Sequence, residues 1–357
     1  MDKTFWKGKK VLITGHTGFK GSWLSLWLQR MEADVTGYAL PPPTKPSLFE
    51  IAHVADGMRS MTGDVCNLEH LKGVMGEYRP EIIFHMAAQP IVRDSYMQPV
   101  ETYATNVMGT VNVLEAARHA DDVRAIICIT SDKCYENREW FWGYRESDRL
   151  GGRDPYSSSK ACAELVISAY RDSYFPVETY ERHGVAVAST RAGNVIGGGD
   201  WARDRLIPDV VNGLMDARPV IIRNPNAVRP WQFVIDPLNG YLRLAERLWA
   251  EGPGFSKSWN FGPNHDEVKP VLWIVEYLTK LWGEGACWEL DVTHKPHEDN
   301  YLKLDCSNAN NILRWSPKVG LPTALEWIAE WYQGYQRNED MRDLTEVQIT
   351  RYENMAT

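Results

Sequence analysis

Short apolar runs alternate with longer segments whose apolar residues recur at helical spacing. The runs predict buried β-strands at residues 9–14, 34–40, a stretch ending just before Thr62, 80–89, 125–129 and 185–191. Helical spacing appears between them, for example at 23–28 and 105–114. Buried strands separated by helices are typical of a parallel sheet, because each crossover returns through a helix that covers one face. The pattern therefore predicts an α/β fold with a doubly wound, Rossmann-like parallel sheet.

The regular alternation ends near residue 192. Beyond it, segments such as 229–234 and 294–299 mix proline, aromatic and charged residues. Ligands bind sheets of this kind outside the carboxyl ends of the strands, where a smaller domain can close over them. We therefore expect an NAD-binding Rossmann domain at 1–192. Residues 193–357 should form mainly a substrate-binding domain, with possible chain crossings back to the sheet.

A glycine-rich loop joins the first predicted strand to the first predicted helix. The loop reads Gly15-His16-Thr17-Gly18-Phe19-Lys20-Gly21. A strand, a glycine turn and a helix in this order direct backbone N–H groups and the positive end of a helix dipole at a pyrophosphate. The spacing is G-x-x-G-x-x-G rather than G-x-G-x-x-G, and a merely structural turn is the alternative. The loop predicts that these residues bind a dinucleotide.

The residues near the cofactor ribose leave the choice between NAD and NADP open. Many NAD proteins end the second strand in a carboxylate that holds the ribose hydroxyls. Here that strand runs into three prolines at 41–43 without an acidic residue, and His16 and Lys20 could favour an extra phosphate. Asp64 is a candidate to contact the adenine amino group, but it is equally a candidate N-cap for a helix that starts at Leu68.

Small residues after the fourth predicted strand indicate a close approach of the cofactor to the backbone. In addition to the glycine loop, the expected cofactor contacts are Asp64, Val65, Ala87, Ala88, Gln89, Asn106, Tyr156 and Lys160. His85 precedes the end of the strand, so a structural role is favoured over a catalytic one.

Tyr156 and Lys160 form the centre of the predicted chemistry. Residues four apart lie on one face of a helix, so both side chains can reach the same cleft. A phenol with a pKa of about 10 is a poor base at neutral pH, but a neighbouring ammonium favours its phenolate. Ser131, at the end of a buried strand, can hydrogen-bond the substrate hydroxyl that Tyr156 deprotonates. A Tyr-x-x-x-Lys pair alone is common by chance, and the context gives it weight.

Composition and charge exclude several other classes of protein. The 357 residues carry a formal net charge of −8, which argues against binding to nucleic acid or to an anionic membrane. Six cysteines are scattered without a C-x-x-C pair, so neither a metal site nor a disulfide framework is predicted. No apolar stretch is long enough for a signal peptide or a membrane span, which makes the cytoplasm the expected location.

The glycine loop, the Ser131 strand and the Tyr156/Lys160 pair together resemble the extended short-chain dehydrogenase/reductases that modify nucleotide sugars. The resemblance covers nearly the whole chain. Three segments are similar to the 4,6-dehydratases that act on CDP-glucose: TSDKCY at 130–135, RAGNVIGGGDW at 191–201 and RPWQ at 229–232. The dTDP-glucose branch has an Asp-Glu pair where this chain has Asp132 and Lys133, and the epimerases lack such a pair. The CDP-glucose branch is similar to this chain in having the lysine, and the resemblance therefore favours that branch.

The resemblance implies a mechanism. Tyr156 would take the proton of the sugar 4-hydroxyl while NAD accepts a hydride from carbon four. Lys133 would then remove the carbon-five proton, and Asp132 would protonate the 6-hydroxyl as it leaves as water. The hydride returns to carbon six, so no net redox change occurs. The catalytic set would be Ser131, Asp132, Lys133, Tyr156 and Lys160, and the substrate contacts Arg93, Ser131, Asn194, Arg205, Arg229, Glu298 and Tyr301.

The resemblance also implies a biological setting. The enzyme would be a cytoplasmic lyase that acts on CDP-glucose and supplies 3,6-dideoxyhexoses for bacterial O-antigen, a part of lipopolysaccharide. Members usually dimerise through a shared helix bundle, so a homodimer or homotetramer is expected. Two alternatives stay open: another nucleotide-sugar dehydratase or 4-epimerase, and a non-catalytic dinucleotide sensor on the same fold.

Overall fold

The computed structural model describes residues 2–222, 224–264, 269–283, 285–290 and 302–355. The strands are β1 Lys10–Thr14, β2 Asp34–Ala39, β3 Arg59–Thr62, β4 Ile82–His85, β5 Ala125–Ile129, β6 Ala186–Arg191, β7 Val195–Ile196, β8 Val220–Ile222, β9 Val228–Arg229, β10 Gln232–Phe233, β11 Ser258–Asn260, β12 Lys269–Pro270 and β13 Trp288–Leu290. The helices are α1 Lys3–Trp6, α2 Phe19–Arg30, α3 Leu48–Ile51, α4 Leu68–Tyr78, α5 Val92–Met97, α6 Pro99–Tyr103, α7 Gly109–Arg118, α8 Pro155–Ser173, α9 Tyr180–His183, α10 Leu206–Met215, α11 Ile235–Glu251, α12 Val271–Trp282, α13 Ser307–Asn311, α14 Leu321–Gln336 and α15 Met341–Asn354. None of the helices in these ranges is long and apolar enough to cross a membrane.

Seven parallel strands form the central sheet, in the order β11-β6-β5-β4-β1-β2-β3. The chain order reverses at β1, because β2 and β3 extend the sheet on one side and β4 to β6 on the other. Such a reversal opens a crevice at the carboxyl ends of the strands, where ligands bind in open α/β sheets. The predicted doubly wound, Rossmann-like fold is confirmed.

Successive strand residues point to opposite faces of the sheet and build two cores. In β1, Val11 and Ile13 belong to a core that includes residues of α2 and α11, whereas Leu12 belongs to a core that includes residues of α4 and α7. β5 repeats this division with Ile127 and Ile126. Because helices cover both faces, β5 is apolar and buried along its whole length, which explains its continuous apolar run in the sequence.

Parts of the chain after residue 192 return to this sheet. β11 extends it as an edge strand parallel to β6, with Trp259 beside Thr190. α11 packs on β5 and β6, and α15 packs on α2. β11 has three residues, too few for an apolar run, and the sequence analysis did not identify it. The division between residues 192 and 193 stays a prediction, and one core contains residues from both sides of it.

Three small two-stranded sheets lie in the described part of the chain after residue 192. They pair β7 with β10, β9 with β12, and β8 with β13. β8 and β9 contribute Ile221 and Arg229 to a large cavity that also borders the carboxyl ends of the central strands. The late part of the chain therefore supplies a second wall to the crevice of the sheet.

Candidate active site

A cavity of about 1370 Å³ lies at the carboxyl edge of the central sheet. The glycine loop and the residues after β4, β5 and β6 form one part of its lining, and residues around 199–210 and 220–231 form another. Pockets for a single drug-sized ligand measure about 300–1000 Å³. This cavity therefore has room for a dinucleotide together with a second ligand.

Close backbone contacts exclude side chains at two positions of the glycine loop. Gly15 has a φ of +77°, and a Cβ there would lie 2.7 Å from the backbone nitrogen of Ala87. A Cβ on Gly21 would lie 2.2 Å from the carbonyl oxygen of Gly15. Gly18 is the N-cap of α2, and no side chain caps this helix end. The N–H groups of its first turn suit a pyrophosphate, so the loop fits a dinucleotide.

The side chain of His16 points away from the cavity. Its Nε2 lies 2.8 Å from Ser60 Oγ, and its buried ring packs over Gly37 and edge-on against Phe49. Burial lowers the pKa of His16 to about 4, so the imidazole is neutral at physiological pH. The prediction that this side chain attracts a cofactor phosphate is wrong, because the missing side chain of Gly37 leaves a buried space that the ring fills.

Gln89 and Asn106 lie behind the cavity wall instead of lining it. The buried Asn106 accepts a hydrogen bond from Gln89 N at 2.8 Å and donates from Nδ2 to Ser159 Oγ at 2.8 Å. The side chain of Gln89 folds back and accepts from Ile91 N at 2.8 Å. These side chains satisfy backbone groups of the irregular chain after β4, and their contact with the cofactor stays a prediction.

The remaining predicted cofactor residues line the cavity. They are Gly15, Thr17, Gly18, Phe19, Lys20, Gly21, Asp64, Val65, Ala87, Ala88, Tyr156 and Lys160. The alternative role of Asp64 as a helix cap is wrong, because Asn67 caps α4 and accepts from His70 N at 3.1 Å. His85 is buried between Thr14 and Thr110, which agrees with its predicted structural role.

The start of α8 positions Tyr156 and Lys160. Pro155 is the first residue of the helix, and Asp154 caps it by accepting from Ser157 N at 2.9 Å. Proline suits this position, since its fixed φ matches the helix and its missing N–H would have had no partner. Tyr156 therefore lies in the first turn and Lys160 one turn later. Both side chains are buried and border the cavity.

The chain after β5 brings the other predicted catalytic residues to the same place. Ser131 begins a 3₁₀ turn at Asp132–Cys134, accepts from Lys133 N at 3.2 Å and donates to Asp132 Oδ1 at 2.9 Å. Ser131 is also hydrogen-bonded to Tyr156. Asp132 is buried against Gly193, where a Cβ would lie 1.9 Å from its Oδ2. Lys133 is half-buried and lines the cavity.

Burial sets the charge of the titratable groups in the cavity. It raises the pKa of Tyr156 to about 12, and the hydrogen bond with Ser131 offsets only part of this rise. Burial lowers the pKa of Lys160 to about 8. It also lowers the pKa of Lys20 to about 7, with help from the positive charges of Lys160 and Arg205. Because burial dominates, the protein groups alone leave Tyr156 neutral, and the effect of Lys160 on its phenolate stays a prediction.

Besides Ser131, four of the predicted substrate contacts line the cavity. They are Arg93, Asn194, Arg205 and Arg229. Two of these arginines are held by carboxylates: Arg93 pairs with Asp204 at 2.5 Å and Arg205 with Asp200 at 2.9 Å. The predicted contacts Glu298 and Tyr301 lie outside the described residues.

Similarity to known proteins shows the family to which the chain belongs. The profile of the NAD dependent epimerase/dehydratase family matches residues 11–260. The chain belongs to this family. The CDP-glucose 4,6-dehydratase of Salmonella typhimurium is 56% identical over 357 residues, which cover 100% of this chain and 99% of the relative. The dTDP-glucose 4,6-dehydratase of Neisseria meningitidis is 25% identical and covers 91% of this chain and 93% of its own length.

Solved structures of similar proteins share the fold. The dTDP-glucose 4,6-dehydratase of Bacillus anthracis in complex with NAD has a TM-score of 0.75 at 22% identity, covering 92% of this chain and 99% of the other. The UDP-glucose 4-epimerase of Thermotoga maritima with UDP-glucose has a TM-score of 0.77 at 19% identity, covering 91% and 99%. This family of epimerases and dehydratases is NAD-dependent, so membership decides in favour of NAD where the sequence left NADP open.

Some residues at the family site were missed by the sequence analysis. Arg153, just before the cap of α8, borders the cavity. Glu164 and Arg191 form a buried ion pair at 2.7 Å. Their side chains are 2% and 3% exposed, respectively. Glu164 lies four residues after Lys160, so the helical period that selected Lys160 also indicated Glu164. For Arg191 no comparable local pattern exists, because its partners come from distant parts of the chain.

Proposed function

We propose that this family member is a CDP-glucose 4,6-dehydratase, which converts CDP-D-glucose to CDP-4-keto-6-deoxy-D-glucose and water with NAD. The observation that carries the proposal is that Asp132 and Lys133 line the same cavity as Tyr156. A 4-epimerase only removes and returns a hydride at one carbon, whereas water loss also requires an acid and a base. The 56% identity to the Salmonella typhimurium enzyme supports CDP-glucose as the substrate.

Tyr156 is the general base of the first step. It takes the proton of the sugar 4-hydroxyl, which Ser131 orients through a hydrogen bond. When bound, NAD would supply the acceptor and donor of the hydride that moves from carbon four to carbon six. The ammonium of Lys160 favours the phenolate, which counters the effect of burial on the pKa of Tyr156.

Asp132 and Lys133 carry out the loss of water. The new ketone at carbon four acidifies the carbon-five proton, and Lys133 removes it. Asp132 gives a proton to the 6-hydroxyl, which leaves as water. Lys133 returns its proton to carbon five as carbon six accepts the hydride, so the sugar loses one water in total. The contacts of Asp132 with Ser131 and Gly193 support its role, since they fix the carboxyl group beside Tyr156.

Arginines on the substrate side would hold the nucleotide diphosphate. Arg229 suits this role, because a planar guanidinium forms paired hydrogen bonds with phosphate oxygens. Asn194 would contact the sugar phosphate, and its backbone is fixed at a φ of +49°, which is uncommon for a residue other than glycine. Arg93 and Arg205 complete the proposed positive lining.

The proposed enzyme is a cytoplasmic homodimer or homotetramer. Apolar side chains are exposed on adjacent helices: Val100 of α6 is 81% exposed and Leu165 of α8 is 59% exposed. An apolar surface of this kind marks an interface more often than a surface that stays in water. The product suits the synthesis of 3,6-dideoxyhexoses for bacterial O-antigen, because a 4-keto-6-deoxy sugar already lacks the 6-hydroxyl.

Deuterium at carbon four of CDP-glucose tests the proposal. A 4,6-dehydratase moves the label to carbon six, whereas a 4-epimerase leaves it at carbon four. The product, analysed by NMR, should carry the label at carbon six in the parent protein and should not form in the Asp132→Asn variant. Label retained at carbon four would favour an epimerase. Absence of any product, with Tyr156→Phe leaving the cellular role intact, would favour the dinucleotide sensor.

A further inference from the structure

The ring of Tyr135 is enclosed directly behind the turn that carries Asp132 and Lys133. Tyr135 is the residue that ends this turn, and it is buried. Its ring stacks on that of Tyr144, with 5.3 Å between centroids and 22° between planes. The guanidinium carbon of Arg191 lies 4.9 Å from its centroid. The ring therefore has little freedom to move independently of the turn.

The hydroxyl of Tyr135 joins two distant parts of the chain. It accepts a hydrogen bond from Arg191 Nη1 at 2.7 Å and donates one to Asn260 Oδ1 at 2.8 Å. Asn260, on β11, donates from Nδ2 to the carbonyl oxygens of Tyr144 at 2.8 Å and Asp305 at 3.0 Å. The bridge therefore ties the turn after β5 to the end of β6 and to the edge strand β11.

Arg191 extends the same network to the other side of Asp132. Gly193 follows Arg191 by two residues, and Asp132 packs against the backbone of Gly193. Arg191 Nη2 donates to Glu164 Oε2 at 2.7 Å. Because Arg191 is buried and fixed by Glu164, it holds both the turn that carries Asp132 and the backbone that confines it.

The groups of the first chemical step are anchored by other contacts. Thr130, next to Ser131, donates to Glu164 Oε1 at 2.5 Å. Tyr156 is fixed by the cap of α8 and by a hydrogen bond from its backbone N to Ser95 Oγ at 3.2 Å. The hydroxyl of Tyr135 makes neither of these contacts, so it can be removed while both anchors of Tyr156 stay in place.

We propose that Tyr135 is a positioning residue for the loss of water: its hydroxyl bridge fixes the turn that carries Asp132 and Lys133. This inference rests on the proposed dehydratase function. A displacement of about 1 Å at reacting groups can lower a rate by about 100-fold. Loss of the bridge should therefore slow proton transfer by Asp132 and Lys133 more than hydride removal, because the general base of that step, Tyr156, is positioned separately on α8.

The test replaces Tyr135 by Phe and uses Tyr144→Phe as the matched control. Tyr135→Phe keeps the stacked ring, and Arg191 Nη1 keeps a bond to the carbonyl oxygen of Glu146 at 3.0 Å, so the variant should fold. Tyr144→Phe removes a hydroxyl from the neighbouring ring, where it accepts from Arg138 N at 2.5 Å. Asn260→Ser removes the acceptor on the far side of the bridge and serves as a second variant.

Each protein is mixed rapidly with NAD and CDP-glucose, and reduced nicotinamide and dehydrated product are followed in time. For Tyr135→Phe we expect product formation to fall by about 10- to 100-fold, with KM little changed and more reduced nicotinamide accumulating than in the parent. Asn260→Ser should give the same pattern, and Tyr144→Phe should behave like the parent. Replacing a residue that only stabilises the fold would not cause reduced nicotinamide to accumulate before water is lost.

Two results would overturn the positioning role. One is parental turnover in Tyr135→Phe; the other is a slower variant, either Tyr135→Phe or Asn260→Ser, without accumulation of reduced nicotinamide. Failure of the proposed function is recognised separately, because then the parent protein releases no water from CDP-glucose.

Discussion

At the scale of single residues, Asp132 depends on the absence of a side chain at position 193. A Cβ there would lie 1.9 Å from Asp132 Oδ2, and the carboxyl group would have to move. We expect Gly193→Ala to lower kcat for water loss by about 10- to 100-fold. Gly254→Ala is the control, because a Cβ at this position meets nothing within 4 Å. Parental activity of Gly193→Ala would contradict the role of Asp132.

The lowered pKa of Lys20 predicts that the free energy of unfolding depends on pH. Burial lowers its pKa from 10.5 to about 7 in the folded chain, so between these values the unfolded chain binds more protons. The stability of the parent should therefore rise from pH 7 towards pH 10.5, and below pH 7 the charged lysine destabilises the fold most. Lys20→Met should raise the urea midpoint at neutral pH, and the gain should shrink as pH rises. Lys72→Met, on the surface of α4, is the control; an equal gain at every pH would contradict the prediction.

The sequence predicted which residue types surround the cavity better than it predicted their ionisation. The spacing of Tyr156 and Lys160 follows from helix geometry alone, and both side chains do reach the cavity. The rise in the pKa of Tyr156 was not predicted, because the burial that causes it depends on packing from distant segments. His16 was misplaced for a similar reason, since the space over Gly37 exists only after β1 and β2 pair.

At the scale of elements, the cap of α8 links stability to activity. Asp154 accepts from Ser157 N at 2.9 Å, and Tyr156 lies in the turn that this bond closes. Asp154→Ala should destabilise the protein by about 1 kcal/mol and also lower kcat, because the first turn carries the general base. Asn67→Ala removes the equivalent cap of α4 and should cost similar stability in urea with unchanged kcat. Equal kcat in the two variants would contradict this account.

Elements with a local pattern were predicted, and those fixed by distant contacts were not. The strand at Ala125–Ile129 has the predicted bounds, because five buried apolar residues mark it. β11 escaped notice, since an edge strand of three residues is defined by its pairing with β6 rather than by its own sequence. The bridge from Tyr135 to Asn260 likewise joins residues 125 positions apart.

At the scale of the whole molecule, α8 carries chemistry on one face and an exposed apolar residue on another. Leu165 is exposed although it neighbours the buried Glu164. If this surface forms the proposed interface, Leu165→Glu should convert the oligomer to a monomer in light scattering, because a charge would be buried without a partner. Ile312→Glu, at an exposed site after α13, should leave the parental mass. An unchanged mass for Leu165→Glu would contradict an interface through α8.

The structure after residue 192 was predicted less well than that of the chain before it, for a physical reason. Parallel strands buried on both faces leave a long apolar record, whereas strands of two or three residues and loops leave almost none. The resemblance to known dehydratases, rather than periodicity, directed attention to Arg229 and Asn194. Recognition of the base stays a prediction, since Glu298 and Tyr301 lie outside the described residues.

The most direct test of the central claim is the mass of the product formed from different nucleotide sugars. The purified protein is incubated separately with CDP-glucose, dTDP-glucose and GDP-mannose, each with and without added NAD, and the products are analysed by mass spectrometry. The account predicts loss of one water from CDP-glucose and no change in the other two. A new isomer of unchanged mass, or water loss from another nucleotide sugar in place of CDP-glucose, would contradict it.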